Sequence, residues 1–169
     1  MSTIEIVVDD LSSAATRALI TAHLAGMHDT SPPESVHALD IDGLRHPDIT
    51  FWSAWRGARQ QAGGVGRSPI EHRELAGIGA LKRLDAARGE LKSMRVDDRF
   101  RGTGVGRALL RHIISEARER GMTSLWLETG TTEDFTAALR LYESEGFVRC
   151  DPFDGYSPDP FSVFLTRSL

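Results

Sequence analysis

Arg101-Gly102-Thr103-Gly104-Val105-Gly106-Arg107 is the stretch on which the reading of this chain turns. Before it, Leu91-Lys92-Ser93-Met94-Arg95-Val96 reads as a strand. After it, Val105, Leu109, Leu110, Ile113, Ile114 and Ala117 recur at helical spacing, with Arg, His and Glu between them. Gly121 then stands where a helix C-cap glycine belongs. Glycines let the backbone bend sharply and approach a ligand closely. The free N–H groups of the helix start, helped by the helix dipole, make a site for a phosphate or diphosphate. Arg101 and Arg107 are placed to add charge-assisted contacts. The loop lacks the Gly-Lys-Ser/Thr ending of a nucleoside-triphosphate loop, since Gly106 is followed by Arg107 and Ala108. Its glycine spacing and its place past the middle of the chain do not suit a dinucleotide fold either. Taken alone, a glycine-rich turn is also an ordinary structural device.

Upstream of this region, residues 4–8 form a β-branched run and residues 11–27 an amphipathic helix, with Ala15, Leu19, Ala22 and Met27 near one face. Pro32 and Pro33 stop that helix, and residues 34–40 suit a second short one. Residues 49–55 and 75–84 read as strands, the latter joined to the Leu91–Val96 strand by a turn at 85–89. Residues 56–72 have no periodicity and read as an exposed connection. Downstream, Leu125-Trp126-Leu127 is a central strand. Thr131 and Asp134 have capping-box spacing, and Phe135, Ala138, Leu139 and Tyr142 mark another helix. Residues 147–150 and 161–166 close the chain as strands. This order predicts an α/β domain with a mixed sheet of about seven strands flanked by helices, and a single domain over residues 1–169.

Composition narrows the classes. The chain has 169 residues, 40% hydrophobic and 26% charged, with a formal net charge of -4. A nucleic-acid partner is not expected without a basic excess. No apolar run is long enough for a membrane span, and the acidic N-terminus does not resemble a signal peptide. Cys150 is the only cysteine, so no intrachain disulfide forms and a cytoplasmic location is expected. It reads as a small packed residue rather than a nucleophile.

Two elements together resemble the GNAT acetyltransferase superfamily. Arg101, Gly104 and Gly106 match its Arg/Gln-x-x-Gly-x-Gly/Ala acyl-coenzyme A signature, and Leu141-Tyr142-Glu143-Ser144-Glu145-Gly146-Phe147 resembles its Leu-Tyr-x-x-x-Gly-Phe element. The clear resemblance covers residues 75–150. It implies a mostly antiparallel sheet that splays between its fourth and fifth strands, and acetyl-CoA as co-substrate without a metal. Backbone amides from Gly102, Thr103, Gly104, Val105, Gly106 and Arg107 are then expected to hold the coenzyme's diphosphate. The strand Met94-Arg95-Val96 is expected along the pantetheine arm, and an N–H near Met94 at the developing oxyanion. Phe135, Ala138 and Tyr142 are the expected contacts from the next helix. Phe135 replaces an asparagine common in the family. The resemblance makes Tyr142 the acid that protonates the departing thiolate, a role that suits a phenol; a packed core aromatic is the competing reading.

The general base stays open among Glu90, Glu128 and His28, with His23 in the same helix. The acceptor pocket is expected from residues 27–37, from Trp52 and Trp55 and from loop 151–160, with Met27, His28, Trp52 and Glu128 as the candidate acceptor-binding residues. Trp52 and Trp55, three apart on a strand, face opposite sides, and the acids of loop 151–160 suit a cationic amine. The function expected is acetyl transfer to an amine of a small molecule by direct attack. A coenzyme-binding module without turnover and a protein N-acetyltransferase are the alternatives. A homodimer is the assembly the resemblance suggests.

Overall fold

The chain, described here over residues 3–57 and 73–169 of a computed structural model, runs β1 (Thr3–Val8), α1 (Ala14–Thr30), a 3-10 turn (Pro33–Ser35), α2 (Ile41–Leu44), β2 (Ile49–Gly57), β3 (Arg73–Arg83) and β4 (Arg88–Val96). It continues through α3 (Val105–Glu119), β5 (Ser124–Gly130), α4 (Thr136–Ser144), β6 (Val148–Cys150) and β7 (Ser162–Ser168). The seven strands form one sheet in the order β1-β2-β3-β4-β5-β7-β6. All neighbours are antiparallel except β4 and β5. The α/β class and the mixed, mostly antiparallel sheet are as the sequence predicts.

Helix α3 lies against one face of the sheet and buries Val105, Leu109, Leu110, Ile113, Ile114 and Ala117 against Leu125, Leu127 and Leu165. It approaches β3 closely because that strand carries Gly77 and Gly79. A Cβ on Gly77 would lie 2.9 Å from Leu109 Cδ1, and one on Gly79 would lie 3.0 Å from Ile113 Cδ1. Helix α1 covers the other face through Leu19 and Ile20, which pack with Phe51, Ile78 and Ala80.

Local details depart from the sequence reading in several places. Helix α1 starts only at Ala14, where the Ser13 side chain accepts from Thr16 N at 3.1 Å. Its inward face is Thr16, Leu19 and Ile20, while Ala15 and Ala22 are exposed. No helix forms over 34–40. The chain makes a 3-10 turn there, and α2 begins after Asp40, whose carboxylate accepts from Gly43 N at 2.8 Å. The Thr131–Asp134 capping box does not form either, because Thr131 Oγ1 donates instead to Pro160 O at 3.2 Å. Of the connection read at 56–72, Arg56 and Gly57 end β2, and residues 58–72 lie outside the described residues.

Candidate active site

The site begins where two strands part. Parallel pairing of β4 with β5 covers Arg88 to Glu90 on one strand and Ser124 to Trp126 on the other. Both strands run on, β4 to Val96 and β5 to Gly130, without further pairing to each other. On its other side β4 stays paired with β3, but the register shifts between Ile78 and Ala80. Ser93 and Met94 there oppose Gly79 alone, and Ser93 takes φ 54°. A bulge of this kind twists and bends its strand, which gives the parting of β4 from β5 a local cause. The expected splay between the fourth and fifth strands is therefore present.

The gap forms a cleft that passes between the two faces of the sheet. Phe135, Ala138 and Tyr142 line it from the side of α3 and α4. His23, Met27, His37, Glu90, Lys92, Glu128 and Tyr156 line it along with Met94. The Phe135 ring packs onto Gly130, where a Cβ would come within 2.2 Å of it. Tyr142 is 7% exposed and stacks edge-on to Phe147 at 5.9 Å. Among the described residues none hydrogen-bonds its hydroxyl. Burial, with the Glu128 charge adding, pushes this phenol well above its ordinary pKa, so it stays protonated.

The two carboxylates differ. The Glu90 side chain is 2% exposed, and its Oε1 accepts from Lys92 Nζ at 3.1 Å and from the Tyr156 hydroxyl. Lys92 Nζ also donates to the Tyr156 hydroxyl at 3.0 Å. Burial and the nearby Glu90 charge raise the Tyr156 pKa too. Among the described residues Glu128 accepts only from Ser162 Oγ, at 2.8 Å. Burial raises the Glu128 pKa, and the charges of His37 and Lys92 partly offset that. Glu128 is thus the carboxylate better suited to take up a proton. Burial, with Arg95 nearby, pushes His23 down to about 4, so its ring is neutral at pH 7.

The glycine turn ends beside the same cleft. Gly102 takes φ 72° and Gly104 φ 90°, and a Cβ on either would meet nothing within 4 Å. Gly104 is the N-cap of α3 and carries no side-chain cap hydrogen bond. Ala108 N donates to Gly104 O at 3.0 Å, so the amides from Gly104 to Arg107 precede the helical ladder. Gly106 lies between Val96 and Leu141, with a would-be Cβ 3.3 Å from each side chain. The turn thus presents open amides next to β4 and α4.

Other expected residues stand elsewhere. Trp52 is 1% exposed on the α3 face, edge-on to His112 at 5.5 Å and beneath Arg120, so it is a core residue and not part of an acceptor pocket. Trp55 faces the other way, as alternation requires, but packs with the α1 core. His28 is exposed in the last turn of α1 and does not line the cleft. The Arg95 side chain runs under α1, where a Cβ on Gly26 would lie 3.0 Å from its Nη1, so only its main chain faces the cofactor region expected for it. The two loop arginines are tied to acids: Arg101 to Asp98 at 2.7 Å, Arg107 to Glu145. Sequence reasoning missed Lys92, and it reached His37 and Tyr156 only as parts of the segments 27–37 and 151–160, without singling either out. Lys92 was accessible to it, two residues from Glu90 on one strand and so on the same side. Among the described residues no group of three or more His, Cys, Asp or Glu is placed to hold a metal ion. No helix among them is long and apolar enough to cross a membrane.

Comparison with known proteins agrees with this geometry. The profile of the acetyltransferase (GNAT) family matches residues 19–147. The uncharacterized N-acetyltransferase YsnE of Bacillus subtilis is 47% identical over 96% of this chain and 97% of its own. The uncharacterized N-acetyltransferase YedL of Escherichia coli is 47% identical over 95% of this chain and 92% of its own. A solved structure from Klebsiella pneumoniae, provisionally assigned as an acyl-CoA N-acyltransferase, superposes with TM-score 0.72 at 30% identity, covering 100% of this chain and 98% of that one. The chain belongs to the GNAT family of acetyltransferases and is an acyltransferase.

Proposed function

We propose that the protein transfers the acetyl group of acetyl-CoA to the amine of a small acceptor, by direct attack in a ternary complex. It would act as a single domain over residues 1–169 in the cytoplasm, which its lone Cys150 suits. The observation that carries this reading is the parting of β4 from β5 at Glu90, which brings Tyr142 and Glu128 to one cleft. The residues present fit the coenzyme. The uncapped start of α3, with no side chain competing for its amides, suits a diphosphate. The main chain of β4 beyond Glu90, unpaired toward β5, suits an extended arm at Met94 and Val96.

Acetyl-CoA supplies an acyl group activated as a thioester. Each remaining step belongs to the chain's own residues. Glu128 takes a proton from the acceptor ammonium, and burial raises its proton affinity in the direction this needs. The neutral nitrogen attacks the acyl carbon as the carbon–sulfur bond breaks. Tyr142 gives its proton to the leaving sulfur, and the second proton of the amine restores the phenol. Glu90 is the weaker candidate base, since Lys92 and Tyr156 already satisfy it. Cys150 takes no part: burial and the Asp151 charge raise its pKa, and it does not line the cleft. No covalent enzyme intermediate is therefore invoked.

Calorimetry with acetyl-CoA, followed by thiol release in a panel of primary amines, tests the proposal. Saturable binding and amine-dependent thiol release are expected. Binding without release under any amine points to a coenzyme-holding module, and no binding at all overturns the assignment.

A further inference from the structure

On the loop side of the sheet, a second and wider opening of about 410 Å³ is lined by Glu34, His37, Lys82, Glu90, Asp154 and Tyr156, among others. The reaction cleft itself offers only about 90 Å³. Glu90, His37 and Tyr156 line both spaces, so these three side chains are the wall between them.

Tyr156 is held at both ends. Its ring packs edge-on to His37 at 5.0 Å and to Phe153 at 5.0 Å, and lies 5.5 Å from Phe164. Its hydroxyl donates to Glu90 and accepts from Lys92. Lys92 Nζ lies 5.7 Å from the same ring. A half-buried aromatic fixed by packing on one edge and by a carboxylate–ammonium pair on the other is a rigid surface. Rigid surfaces discriminate by shape, because a ligand that does not fit has to move the wall.

We infer that Tyr156 determines which acceptor reaches Glu128: the wall it forms with His37 and Glu90 admits an unbranched primary amine end-on from the wider opening and rejects an amine branched beside its nitrogen. The inference rests on the acyl-transfer reading above and adds the acceptor's entry side and shape. Among the described residues, the hydrogen bonds and ring contacts of Tyr156 go to Glu90, Lys92, His37, Phe153 and Phe164 and not to the coenzyme turn or Tyr142, so it selects rather than reacts. The narrow cleft accepts the amine and its first carbons, while the rest of the acceptor stays in the wider opening against loop 151–160.

The test compares n-butylamine with 2-aminobutane as acceptors for the full chain and acetyl-CoA. The wild-type protein is expected to favour n-butylamine by ~tenfold or more in kcat/KM, the discrimination one misplaced methyl group typically brings in a shaped pocket. Tyr156→Ala is expected to abolish that preference with the acetyl-CoA KM unchanged, because the altered wall lies on the acceptor side. Tyr156→Phe keeps the ring but loses the tie to Glu90, and an intermediate preference is expected. Thermal melting of both variants controls for folding. Full preference in a folded Tyr156→Ala protein overturns the inference. So does a wild-type protein that binds acetyl-CoA yet acetylates both amines equally or neither. A wild-type protein that fails to bind acetyl-CoA overturns the acyl-transfer reading itself, a distinguishable result.

Discussion

The two faces of the sheet are built on different principles. On the α3 face, apolar side chains from α3 interlock with β3 and β5, and the groups proposed to meet the coenzyme are main-chain amides at the helix start. On the α1 face beside the cleft, the core gives way to Glu90, Lys92, Glu128 and Tyr156, and the ligand-directed groups are side chains. A backbone site depends on φ and ψ at a few residues and tolerates changes around it. A side-chain site depends on several partners at once. The comparison teaches that, on the proposed reading, the coenzyme half of this protein is set by local geometry and the acceptor half by assembly.

The sharpest way to test this division is Tyr142, where the faces meet. Tyr142→Phe keeps the packed ring and removes only the hydroxyl, so kcat is expected to fall by ~10²-fold, the scale of general acid catalysis. Acetyl-CoA affinity by calorimetry should hold. An equal loss in affinity would mean that the tyrosine serves binding, and the division would break there.

Next in size is Gly104→Val. Gly104 sits at φ 90°, where a β-branched residue carries roughly 1–3 kcal/mol of strain. The Gly turn should distort, and acetyl-CoA should bind ~30-fold more weakly on that scale, with the Tyr156-dependent acceptor preference intact at saturating coenzyme. Unchanged affinity by calorimetry would remove the turn from the coenzyme site.

Smallest is Glu128→Gln. Only the ionised carboxylate accepts a proton, so activity should rise with pH through the Glu128 midpoint. Burial raises that midpoint, placing it above the ordinary carboxylate value of about 4.3. The variant is expected to lose ~tenfold in kcat/KM near pH 7, less than the ~10²-fold or more typical of a general base because acceptor already neutral in solution can still react, and to lose this acid limb of the profile. A limb that persists in the variant would transfer the role to another group.

The same division explains what could be read from the sequence. The turn at 101–107, α3 and Tyr142 are contiguous or periodic, so spacing places them on their elements and the family resemblance supplies their expected roles. Glu90 and Glu128 were candidates as the ends of adjacent strands, but their unlike surroundings come from Lys92, Tyr156 and Ser162, which no periodicity ties together. Tyr156 sits in a loop with no pattern at all. Trp52 failed as a pocket residue because alternation says that two tryptophans face opposite ways and not which side the cleft opens on. His28 failed because α1 presents His23 and Met27 to the cleft, and a residue one position beyond Met27 on a helix points about 100° away. The bulge at Ser93 left no trace either, since a serine at positive φ is not a residue-type signal.

The brief pairing of β4 with β5 has a mechanical consequence. Three rungs join a four-stranded leaf to a three-stranded one, with α3 bridging them like a splint across a joint. On the proposed reading, an extended coenzyme arm lodged in the fork would add rungs that the protein lacks by itself, so that loading it would also stiffen the frame against which the acceptor must be aimed.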